Sequence, residues 1–176
     1  CDVIDILQLH GQVYSTEDQA FILQGELLAA VDELRNRGWV RFVGVTGEEP
    51  WTLLPLVESD RFDAVQVRYN LTHQAAAGHL LPAAEAAGLG VSVMRPLTSG
   101  TLQYMLQRLD PEWAAATDLY GLCLKYVLAD SRVHTAIVGM RSPEEVQRNV
   151  EIVAGFKPSF DIAEMPRVLG EVYRAP

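Results

Sequence analysis

The chain has 176 residues, 14 of them basic and 23 acidic, giving a formal net charge of −9. That surplus of acid argues against a nucleic-acid partner or an anionic membrane surface. The two cysteines, Cys1 and Cys123, form neither a disulfide framework nor a zinc spacing, and no apolar run approaches the ~20 residues that cross a bilayer, so a cytoplasmic globular protein is expected.

Residues 3–9 are aliphatic and β-branched and read as a strand ending at His10 and Gly11. Residues 12–19 are polar and read as a loop. Residues 25–36 place Leu27, Leu28, Val31 and Leu34 on one helical face, and Gly38 follows as a helix terminator. A strand is expected at 42–45 and a helix at 50–58, opened by Pro50. The alternation continues with a strand at 64–67, a helix at 80–87 and a strand at 91–94. Residues 97–111 read as an irregular excursion, 113–128 as one helix, 135–138 as a strand, 143–153 as a helix and 161–173 as a helical tail.

Five strand–helix alternations indicate an α/β protein with a parallel sheet covered on both faces. Residues 1–176 read as a single domain. Because position 1 is not Met and a strand follows almost at once, the sequence reads as truncated or cut from a longer protein. A complete β/α barrel usually needs about 200–250 residues. Part of such a barrel and a stand-alone five-stranded doubly wound sheet both remain open on periodicity alone.

Five segments narrow the choice. They are Asp2-Val3-Ile4-Asp5-Ile6-Leu7-Gln8-Leu9-His10; Gly38 through Val43-Gly44-Val45-Thr46; Phe62 through Val65-Gln66-Val67-Arg68-Tyr69-Asn70; Val91-Ser92-Val93-Met94-Arg95-Pro96-Leu97-Thr98-Ser99-Gly100; and Val127-Leu128 through Gly139-Met140-Arg141-Ser142-Pro143-Glu144-Glu145 to Asn149. In this order they resemble strands four to eight of the aldo-keto reductases. The resemblance implies the C-terminal portion of a TIM-type (β/α)8 barrel, with about five parallel strands. It also implies an NAD(P)H-dependent oxidoreductase that reduces a small-molecule aldehyde or ketone to an alcohol.

In such barrels the chemistry sits at the C-terminal strand ends, where His10, Thr46, Gln66, Met94 and Gly139 fall. A histidine ending an apolar strand is, in general, most often a satisfied core residue. The resemblance instead makes His10 the catalytic residue, a neutral imidazole that orients the substrate carbonyl. An amide inside an apolar strand needs partners. For Gln66 the partner is either neighbouring backbone or, by resemblance, the nicotinamide carboxamide, with Thr46 contributing its hydroxyl. Many members carry Asn after that hydroxyl residue, where this chain has Gly47, and an aromatic residue under the nicotinamide, where it has Met94.

Arg95 and Ser99, in a loop with Gly100, read either as contacts to the cofactor pyrophosphate, with the cation supplying charge and the glycine close backbone approach, or as an ordinary surface turn; Leu97 is expected among the cofactor-binding residues. Ser142 suits a helix N-cap and Pro143 the first helical position. By resemblance Arg141 meets the 2′-phosphate of NADP, beside Gly139, and Asn149 meets adenine. Glu145 stands where many members carry a second basic residue. NADP is the implied cofactor, with NAD as the alternative. No metal site is expected, and His73, His79 and His134 read as solvated.

The family's proton-donating tyrosine, with its lysine and aspartate, comes from strands before the fourth, and none of this chain's six tyrosines precedes His10. The isolated chain is therefore expected to be inactive. Its two outer strands are expected to be open edges that call for the missing N-terminal half, in cis or in trans, or for a homo-oligomer. A non-catalytic nicotinamide-binding or regulatory module on the same barrel is the alternative.

Overall fold

The structure, a computed structural model, describes residues 2–164. Its elements are β1 (Ile4–His10), α1 (Thr16–Gln24), α2 (Glu26–Asn36), β2 (Val40–Gly47), α3 (Pro50–Val57), β3 (Ala64–Arg68), α4 (Leu80–Ala86), β4 (Gly90–Met94), α5 (Thr101–Leu109), α6 (Pro111–Ala116), α7 (Leu119–Leu128), β5 (Thr135–Ile137) and α8 (Pro143–Gly155). All five strands are parallel and lie in the order β1-β2-β3-β4-β5. A doubly wound sheet reverses its strand order at a switch point. This sheet never reverses, so it winds in one direction, as a β/α barrel does.

Side chains alternate across a strand, and the burial follows that period. Val43, Val45, Val65, Val67, Val91 and Val93 are all essentially inaccessible and pack under the helices with Leu53, Leu56, Leu80, Leu81, Leu124 and Val127. Burying such a side chain contributes roughly 1.5–3 kcal/mol. The intervening residues form the other face. There Ile4, Ile6, Phe42 and Ile137 are between 44% and 50% exposed. The expectation of a sheet covered on both faces is thus met on one face only, among the described residues.

Three helical readings change. Residues 12–19 are not all loop: Ser15 and Asp18 form a reciprocal capping box that starts α1. The excursion at 97–111 contains α5. The single helix expected at 113–128 is two, α6 and α7, because Asp118 leaves the helix and accepts from the Gly121 amide as a new N-cap. Of the helical tail, only a short 3-10 turn at Ile162–Glu164 lies within the described residues, and residues 165–173 lie outside them.

A buried polar knot fastens α7 to β3. Asp130 is fully buried and holds Arg132 through two bonds of 2.8 and 2.7 Å. The Tyr69 hydroxyl donates to the same carboxylate at 3.2 Å, and Arg132 also donates to the Ala77 carbonyl. Burial, then the Tyr126 hydroxyl and the Asp130 charge, push the Tyr69 phenol far above its ordinary range.

Candidate functional site

Parallel pairing sets a single row of residues across the open face. His10 is in register with Thr46, Thr46 with Gln66, Gln66 with Ser92, and Ser92 with Thr135. Arg68, Met94 and Ile137 form the next row toward the C-terminal ends. His10, Thr46, Gln66 and Met94 therefore share one end of one face, as the sequence reading requires.

His10 is tied to Thr46, with 3.0 Å between Nδ1 and Oγ1. The Thr46 hydroxyl also accepts from the Gly11 amide at 3.3 Å. Its own proton has two acceptors, the imidazole at 3.0 Å and the Gly11 carbonyl at 3.5 Å. The shorter contact favours donation to Nδ1. With Nδ1 accepting, the hydrogen of that tautomer sits on Nε2, which is placed to donate. Thr46 is itself 2% exposed, so its hydroxyl acts first on His10.

Gln66 is half-buried rather than buried, and its side-chain amide has no partner among the described residues. Gly47 is explained by packing. A Cβ there would stand 3.0 Å from Leu53 Cγ, so a side chain at this position would require Leu53 to shift.

An ionic chain crosses the ends of β2, β3 and β4. Glu48 accepts from Arg95 at 2.6 Å and from Arg68 at 3.2 Å, and Arg68 also reaches Glu49 at 3.0 Å. Arg95, Thr98 and Ser99 all have φ near +55°, a left-handed conformation that costs non-glycine residues energy and clusters at functional loops. The loop is held from both sides. Asn70 donates to the Arg95 carbonyl at 2.9 Å, and the Thr98 hydroxyl donates to Gln103 at 3.0 Å.

Beyond this loop lies a cavity of about 600 Å³ whose lining includes Arg95, Leu97, Ser99, Gly139, Arg141, Glu145 and Asn149. Those are seven of the eleven residues singled out from the sequence. The other four are His10, Thr46, Gln66 and Met94. Tyr120 and Arg148 also line the cavity and were not foreseen. Arg148 sits three residues after Glu145 on α8, on the same helical face, and that spacing was available in the sequence. Tyr120 comes from α7 and had no local signal. Ser142 caps α8 by accepting from the Glu145 amide, and Pro143 takes the first helical position.

His134 is not simply solvated: its Nδ1 accepts from the Val91 amide at 3.0 Å, beside the sheet. Among the described residues no group of three His, Cys, Asp or Glu side chains is set to hold a metal ion. No described helix is long and apolar enough to cross a membrane.

A singly wound parallel sheet with polar groups gathered at its C-terminal strand ends defines part of a β/α-barrel protein. The sequence pattern described as Aldo/keto reductase family matches residues 1–168, and the chain belongs to that family. L-galactose dehydrogenase of Arabidopsis thaliana is 26% identical over 175 residues, covering 86% of this chain and 53% of that protein. NADH-specific methylglyoxal reductase of Escherichia coli (strain K12) is 24% identical over 178 residues, covering 85% and 54%. In fold, the chain is similar to the holo form of aldo-keto reductase AKR11C1 from Bacillus halodurans, with a TM-score of 0.70, 24% identity, and 89% and 57% of the two chains covered. An aldo-keto reductase from Klebsiella pneumoniae in complex with NADPH gives a TM-score of 0.68 at 23% identity, covering 99% and 60%. The chain thus spans a little over half the length of the relatives it matches.

Proposed function

We propose that this chain is the C-terminal, cofactor-holding part of an aldo-keto reductase that reduces a small-molecule aldehyde or ketone to an alcohol with NADPH or NADH. The observation that carries this reading is the meeting of Arg95, Leu97, Ser99, Gly139, Arg141, Glu145 and Asn149 around one cavity, at the same strand ends as His10 and Gln66. The residues fit the group. Gln66 offers an unpartnered amide, both donor and acceptor, for a carboxamide. Met94 offers a thioether to pack on a ring face.

A bound reduced nicotinamide supplies hydride to the carbonyl carbon. His10 orients the carbonyl oxygen through Nε2–H, and Thr46 fixes that tautomer. The two tyrosines nearest Thr46 and Asn70 in sequence and contact, Tyr14 and Tyr69, are engaged elsewhere. Burial, then the Asp18 charge, raise the Tyr14 phenol, whose hydrogen goes to the Thr46 carbonyl at 2.8 Å. Tyr69 is committed to Asp130. By the family resemblance the proton donor belongs to strands before the fourth and lies outside this chain, which alone would then lack a general-acid contribution of about 10²–10⁴ in rate.

The open face and both sheet edges are read as the seat of the remaining barrel strands. Beside β1, Val13 and Phe21 are exposed, and α8 exposes Val146, Val150 and Val153 as a stripe at helical spacing. Without the other half, in cis or in trans, these surfaces drive self-association. A sharp monomer in sedimentation, with cooperative unfolding, would contradict this.

Titration of nicotinamide fluorescence with the folded chain tests the site. Saturable binding is expected, weakened about tenfold by Arg141→Ala and by Gln66→Ala. Binding indifferent to both changes would place the cofactor elsewhere.

A further inference from the structure

We infer that Tyr14 is a positioning residue for His10: acting through Thr46, it selects the imidazole tautomer that carries its hydrogen on Nε2. The inference rests on the orienting role proposed above for His10. Residues 11–14 form a bracket across the ends of β1 and β2. The Gly11 amide donates to the Thr46 hydroxyl at 3.3 Å, the Glu48 amide donates to the Gln12 carbonyl at 2.7 Å, and the Tyr14 hydroxyl donates to the Thr46 carbonyl at 2.8 Å. The bracket ends where Ser15 caps α1.

Tyr14 acts on the Thr46 hydroxyl from two sides. Its hydrogen bond fixes the Thr46 peptide, and a β-branched side chain has few rotamers, so the hydroxyl follows the backbone. Its ring lies against Gly11, where an added Cβ would stand 2.5 Å from Tyr14 Cζ and Oη. Gly11 carries the competing acceptor for the Thr46 proton, a carbonyl at 3.5 Å against 3.0 Å for His10 Nδ1. The ring limits where Gly11 can move, which keeps that proton on the imidazole side. Tyr14 is 8% exposed, and burial, then the Asp18 charge, hold its phenol in the protonated form. The Leu9 carbonyl is a farther acceptor at 3.4 Å, so the single phenol proton stays with Thr46. A phenylalanine would fill the same place in the core and could not make this bond.

Nitrogen-15 NMR of the chain labelled at histidine reads the tautomer without a cofactor, so its outcome is separate from that of the nicotinamide titration. At about pH 8.5 an ordinary histidine, with a pKa near 6.5, is neutral. There His10, identified by the signals lost in His10→Asn, should show two well-separated ring nitrogens, a bare Nδ1 and a protonated Nε2. Thr46→Val should bring the two together by removing the bond to Nδ1. Tyr14→Phe should move them the same way, with the tautomer ratio falling about threefold or more. Gly11→Ala pushes the far end of the Tyr14 side chain off Thr46 and should do likewise, which keeps the reading available if Tyr14→Phe does not fold. Tyr69→Phe, which removes another buried hydroxyl, should leave His10 unchanged. Wild-type His10 signals in folded Tyr14→Phe or Gly11→Ala, or an equal collapse in Tyr69→Phe, would overturn the inference and leave Tyr14 a packing residue. Unchanged signals in Thr46→Val would overturn it together with the tautomer assigned to Thr46.

Discussion

Strands β2 to β4 and strands β1 and β5 are built from the same aliphatic and β-branched residues, yet they live in different surroundings. Val45, Val65 and Val93 are fully buried, while Ile4, Ile6 and Ile137 are about half exposed. The difference is one of face as well as of neighbours, since Phe42 on the open face of a middle strand is also 44% exposed. Each middle strand has a strand on both sides and helices over one face. Each outer strand lacks one neighbour, and the open face lacks its cover. The proposed site spans both regions: His10 ends β1 and Gly139 follows β5, while Thr46, Gln66 and Met94 come from the middle. The stable middle positions most of the site, and the unfinished flanks carry its two ends.

Mutations can sharpen that contrast. The largest effect is expected in the buried knot. Asp130→Ala leaves Arg132 charged and buried without its partner and should cost about 3–5 kcal/mol in urea unfolding. Leu81→Ala, in the covered layer, should cost about 2–5 kcal/mol. Tyr69→Phe removes a hydrogen bond to a buried carboxylate and should cost about 1.5–3 kcal/mol. It also carries a pH signature. The raised pKa keeps the Tyr69 proton in place in the folded state, while the unfolded chain releases it near pH 10. That contribution is therefore complete below about pH 10 and fades as pH rises beyond it. Tyr69→Phe should flatten the alkaline fall in stability. At the flank, Ile6→Lys should change stability by only about 0.5 kcal/mol while reducing self-association in sedimentation. A large loss of stability there would mean that the open face is closed in solution.

The alternation of strands and helices was legible because the middle strands are short apolar runs punctuated by Gly38, Gly88 and Pro50. Parallel order was legible from the same alternation. Single winding was not, since nothing local to a strand tells on which side its helix packs. α1 was missed because its apolar stripe is weak, although the Ser15–Asp18 capping box was in plain sight. α5 was missed because Leu102, Met105, Leu106 and Leu109 follow a strained loop that looks like the start of a longer irregular stretch. At the site, strand-end and helix-cap positions could be read from order and spacing. The engagement of Thr46 with His10, the Arg68–Glu48–Arg95 chain and the place of Tyr120 could not, because they join elements far apart in sequence.

Hydrogen exchange of the whole chain, with and without NADH, tests the account most directly. Slow exchange is expected in β2, β3 and β4 and faster exchange in β1 and β5, with cofactor-induced protection at residues 95–100 and 139–149. Equal protection in all five strands, or no change at those two segments with saturating NADH, would contradict it.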